Sequence, residues 1–160
     1  MPDELPPCGI YRTTAPVGTV PAGRLVYFHN HGEPGPGIYL PSTWHGNRAR
    51  FEARGHLLPT PESVELLAPL AAEGFYRVDR PFHCCEQQCR RFGPNELVQL
   101  GYDGSGKAIL FIPQWTNGAL AIPDRGTRID AENIESMTRL RVPVADTPVH
   151  ESGADDRLLH

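Results

Sequence analysis

The chain has 160 residues, a mass of 17.7 kDa and a net charge of −4, a length that fits one domain or two small halves sharing a core. The negative balance argues against a general nucleic-acid or anionic-membrane surface, because both need a positive electrostatic footprint. No apolar run approaches the roughly 18 residues that span a bilayer. The opening Met1-Pro-Asp-Glu-Leu-Pro-Pro lacks the basic and apolar regions of a secretory leader. A cytoplasmic location is therefore expected, with the four cysteines kept as thiols or metal ligands. The 16 glycines and 17 prolines imply many turns and short strands, and exclude a helical bundle.

Residues 1–8 read as a loose lead-in. From Gly9 onward the chain is written twice. Gly9-Ile-Tyr-Arg returns as Gly74-Phe-Tyr-Arg, Leu25-Val as Leu97-Val, Ile38-Tyr-Leu-Pro as Leu110-Phe-Ile-Pro, and Trp44 as Trp115. The first copy, residues 9–73, is predicted to hold strands over Gly9–Thr13, Arg24–Asn30, Gly37–Leu40 and, more weakly, Arg50–Ala53. A helix over Pro61–Glu73 follows, with Thr60 as its N-cap and Pro61 in its first turn. The second copy, residues 74–143, repeats the plan with strands over Phe75–Asp79, Leu97–Tyr102, Ala108–Pro113 and Ala119–Ile122 and a helix over Ala131–Leu140. Asp103-Gly-Ser-Gly between alternating apolar runs marks a hairpin, and the Glu33–Gly37 segment is its counterpart. Beyond Pro143 periodicity disappears, and residues 144–160 are expected to form a flexible tail. The fold class is thus α+β and β-rich, with two tandem repeats packed as one pseudo-two-fold domain.

The offset between copies grows from 65 residues at Gly9/Gly74 to 72 at Leu25/Leu97, which locates an insertion over residues 82–95. That insertion carries His83-Cys84-Cys85-Glu-Gln-Gln-Cys89. If it forms a helical turn, Cys85 and Cys89 lie on one face, where two thiolates can approach a soft cation. The first copy has its own peculiarity in His29-Asn30-His31. Two residues apart on a strand, the imidazoles project to one face, and His83, Cys85 or Cys89 could complete a site across the copies. The candidate metal ligands are therefore His29, His31, His83, Cys85 and Cys89, with zinc or iron as the ion. Otherwise no cofactor is called for.

Neither a nucleophile elbow nor a phosphate loop is present, so a non-enzymatic reading leads. The chain is expected to act as an interaction or adaptor module for another protein, a homodimer included, and to touch neither membrane nor nucleic acid. The alternative is a metal-binding protein, structural or hydrolytic, built on the histidine turn and the cysteine insertion.

Overall fold

A computed structural model describes residues 4–145. In chain order the strands are β1 (Gly9–Thr13), β2 (Leu25–His29), β3 (Gly37–Tyr39), β4 (Pro41–His45), β5 (Arg48–Phe51), β6 (His56–Leu57), β7 (Leu67–Pro69) and β8 (Gly74–Val78). They continue with β9 (Phe82–His83), β10 (Arg91–Phe92), β11 (Leu97–Tyr102), β12 (Ala108–Phe111), β13 (Gln114–Thr116), β14 (Ala119–Ala121), β15 (Thr127–Arg128) and β16 (Met137–Arg139). Two five-stranded antiparallel sheets dominate, in the orders β6-β3-β2-β1-β7 and β15-β12-β11-β8-β16, and three two-stranded hairpins, β4-β5, β9-β10 and β13-β14, stand beside them.

The helical expectation is corrected. Pro61–Leu66 and Ala131–Ser136 are 3-10 turns of six residues each, and the chain then straightens into β7 and β16. The apolar spacing that suggested a long amphipathic face serves two short elements instead. Pro69 explains the first case, since its ring and missing N–H are incompatible with a helix interior but tolerated on an edge strand. It faces Tyr11 at the rim of the first sheet.

Alternation along β2 divides its side chains between two cores. Val26 and Phe28 are fully buried with Tyr11, Val17, Val20, Ile38, Val64 and Leu67. Leu25 points the other way, into a second cluster formed by Val78, Phe92, Val98, Leu100 and Leu110. The halves are also joined through the backbone, where Leu25 N–H donates to Gly104 O at 2.9 Å and Arg12 Nε donates to Ser105 O at 2.9 Å. The expected 103–106 turn is present, closed by bonds between Asp103 and both Gly106 and Lys107, with Gly106 at φ 71°.

Hairpin β4-β5 leaves its own sheet and clasps the second. Trp44 Nε1 donates to Tyr102 O at 2.8 Å. At the hairpin tip Asn47 Nδ2 donates to Gln99 Oε1 and Pro123 O, both at 2.9 Å, while Gln99 Nε2 returns a bond to Gly46 O at 3.0 Å. Hairpin β13-β14 has no such berth: Trp115 is 77% and Leu120 50% exposed. Only residues 144 and 145 of the expected tail, and residues 4–8 of the expected lead-in, lie among the described residues. Residues 4–8 are fastened, since Leu5 packs on the first core and Pro7 O accepts the Tyr11 hydroxyl at 2.6 Å.

Candidate functional site

The antiparallel register of β1 and β2 pairs Gly9 with Phe28, so one step further out Cys8 meets His29. There the Cys8 thiol lies 3.6 Å from His29 Nδ1 and 3.9 Å from His31 Nδ1. The two imidazoles lie together, ring centroids 4.0 Å apart, although β2 ends at His29 and His31 sits in the bend that follows it. One ligand atom from each of these three residues lies within 4.8 Å of the other two. On a tetrahedral ion bound at about 2.3 Å by sulfur and about 2.0 Å by nitrogen, sulfur and nitrogen stand about 3.6 Å apart. The Cys8–His29 pair has this spacing, whereas His31 Nδ1 is engaged as a donor to Asn30 Oδ1; the three residues could hold a metal ion.

Asn30 fixes this arrangement. Its Oδ1 is 2.7 Å from His31 Nδ1 and accepts from the Cys8 thiol at 3.2 Å. Its backbone N–H donates to the Cys8 sulfur at 3.3 Å, and its side-chain amide is anchored on Pro6 O at 3.2 Å. Cys8 escaped the sequence reading because the connection between β1 and β2 spans eleven residues, and no local signal sets the register across it.

The cysteine insertion builds a second group. It is not a helical turn but the loop of the β9-β10 hairpin, where His83 pairs with Arg91 and Phe82 with Phe92. A turn closed by Gln88 N–H on Cys85 O at 2.9 Å, with Gln88 at φ 55°, folds Cys89 back toward its neighbours. Cys84, Cys85 and Cys89 then hold their sulfurs within 4.8 Å of one another, and Cys84 donates to Cys85 at 3.6 Å. The Cys84 hydrogen bond, helped by the backbone N–H groups of Cys89 and Gln87, pulls the Cys85 thiol below its usual range. Cys89 is pushed up, first by its hydrogen bond with Cys85 and then by that neighbour's charge.

Four of the five ligands expected from sequence thus fall into two groups instead of one site across the copies. His29 and His31 join Cys8, and Cys85 and Cys89 join Cys84. His83 belongs to neither among the described residues, and its carbonyl accepts Asn133 Nδ2 at 2.9 Å.

A buried acid lies where the clasping hairpin meets β1 and β2, in a pocket that Glu73 shares with Gly9, Ile10 and Tyr27. Glu73 is 6% exposed and accepts Ala49 N–H at 3.0 Å from the clasping hairpin. Burial raises its carboxyl above the ordinary range, against the lowering effects of that hydrogen bond and of Arg48. No family model, no curated protein and no solved structure matches this chain.

Proposed function

We propose that the chain is a metal-binding protein built from two copies of one β-rich unit, residues 9–73 and 74–143, in which Cys8, His29 and His31 hold a borderline cation such as zinc. The spacing of the Cys8 thiol and the His29 imidazole, with the His31 ring beside them, supports the metal reading, because it matches a tetrahedral bite at the adjoining ends of β1 and β2. The duplication is supported by the shared strand order of the two large sheets and by a repeated tie, in which Tyr11 donates to Pro7 O and Tyr76 to Ala72 O, each four residues back. In register, Gly9 faces Phe28 as Gly74 faces Leu100. Cys8 therefore corresponds to Glu73, and His29 to Gly101. One copy uses this place to receive a hairpin, and the other fills it with ligands. Three protein ligands leave a fourth position for water or for a group from a partner.

Zinc content of tag-free protein, followed by titration against a chromophoric chelator, tests the reading. Wild type is expected to retain about one zinc per chain and to melt at higher temperature with zinc than without, a gain of about 4 kcal/mol when free zinc exceeds Kd a thousandfold. Cys8→Ser and His29→Ala should each weaken uptake at least about tenfold while the metal-free melting curve stays in place. Zinc uptake unchanged in the Cys8→Ser/His29→Ala/His31→Ala variant would falsify it.

A second reading, a contact module for another protein or a second copy of this chain, rests on hairpin β13-β14. The berthed hairpin β4-β5 uses a tryptophan indole to reach a strand carbonyl and a turn asparagine to grip a side-chain amide. Trp115 and Asn117 offer the same groups outward from a tip at positive φ. Exchanging Trp115 and Leu120 for alanine is expected to leave the melting temperature within a few degrees and to abolish self-association in sedimentation or recovery of a specific partner. Undiminished association in that variant rules this surface out.

A further inference from the structure

We propose that Cys84, Cys85 and Cys89 form a second metal site, independent of the first, that takes monovalent copper through three thiolates. The donor set is the first argument. Among the described residues the group contains sulfur alone, with no imidazole or carboxylate joining it. An all-sulfur set is softer than the mixed thiol and imidazole set of the first cluster, and soft thiolates select Cu(I). Spacing is the second. Three sulfurs about 2.3 Å from one ion in a trigonal plane stand about 4 Å apart, close to the 3.6 Å between Cys84 and Cys85 and inside the 4.8 Å envelope of all three.

The loop is also braced for this arrangement before any ion arrives. Cys84 is buried, and its residue is held on both sides, donating N–H to Arg90 O at 2.8 Å while Arg90 N–H donates to the Cys84 sulfur at 3.3 Å. Asp130 N–H ties the Cys84 carbonyl to the following segment at 3.0 Å. Three negative sulfurs around a single positive charge leave an anionic centre, and N–H groups directed at Cys84 and Cys85 oppose that excess.

Access is provided by a groove of about 770 Å³ in which Cys85 is joined by Arg12, Lys107 and Arg128 and by the acids Asp130 and Glu135, with Arg128 paired to Asp103. In thiol-containing solution Cu(I) travels as an anionic dithiolate complex, for which Arg12 and Lys107 are the cations beside Cys85. Transfer is then ligand exchange with no change of oxidation state. Three Cu–S bonds form to the protein and two to the carrier break, and of the three protein thiol protons two leave on the carrier thiols and one enters solvent.

The test is an anaerobic titration of the full chain with Cu(I) against bathocuproine disulfonate. Wild type and the Cys8→Ser/His29→Ala/His31→Ala variant are each expected to withhold one equivalent of Cu(I) that depends on the insertion. Cys85→Ser and the exposed Cys89→Ser should lose that equivalent by at least about a hundredfold in affinity, with unchanged far-ultraviolet circular dichroism. Retention of it by folded Cys85→Ser and Cys89→Ser overturns the proposal. So does its loss in the Cys8/His29/His31 variant alone, or displacement of the copper by equimolar zinc. Failure here leaves the zinc result at the histidine cluster standing, since the two experiments read different ions on different residues.

Discussion

Phe28→Ala is expected to remove about 3–5 kcal/mol of stability, the usual cost of truncating a fully enclosed aromatic ring. Phe28 has no exposed surface, and it meets Tyr11 edge to face with ring centroids 5.8 Å apart. The neighbouring side chains come from β1, β3 and the 3-10 turn, all anchored by backbone bonds, so the space cannot collapse. A domain of this size commonly holds about 5–15 kcal/mol in total. The loss should therefore appear as a midpoint shift in urea with an unchanged slope. Because Phe28 precedes His29 on β2, the same change should weaken zinc uptake, whereas His29→Ala should weaken uptake with no comparable midpoint shift. If Phe28→Ala unfolds at the wild-type midpoint, the first core is not packed as described.

Gly101→Ala should act where the clasping hairpin meets the second sheet. A methyl group there would lie 2.7 Å from Asn47 O and 3.2 Å from a ring carbon of Phe111. Both are closer than ordinary contact, and the first is backbone in the hairpin tip. The hairpin must lift, at a cost of about 1–3 kcal/mol for overpacking, and the bonds of Asn47, Gln99 and Trp44 loosen with it. In a Trp115→Phe background Trp44 is the remaining indole, and its emission should shift to the red in Gly101→Ala as Tyr102 O is lost. Unchanged emission and an unchanged midpoint together would show that the tip is not seated on this glycine.

Central strands were legible because their alternation is strong. β1 and β11 have the expected bounds, and β2, β3, β8 and β12 differ from expectation by one or two residues. Short edge strands carry too few residues for a period to show. β6, β15 and β16 exist because a neighbouring strand offers open backbone groups, which is a property of the assembled sheet. Leu67–Pro69 illustrates the conflict: its spacing from Val64 is helical, while its hydrogen bonds go to β1. The candidate site was half legible for the same reason. The nearness of His29 and His31 follows from their two-residue separation in sequence, but Cys8 enters through register across a long connection, and Cys84 through a turn whose geometry depends on Gln88.

Leu25 joins the two halves by lending a side chain of the first to the core of the second. Its backbone belongs to the strand that carries the histidines, and its side chain lies among Val78, Val98 and Leu100. Neither half can open without uncovering apolar surface on the other, so thermal melting should proceed as one cooperative transition, in contrast to two domains on a tether. An ion held at the edge of one sheet would then lend its binding free energy to the other, and amide exchange in β8 and β11 is expected to slow on addition of zinc although those strands contribute no ligand.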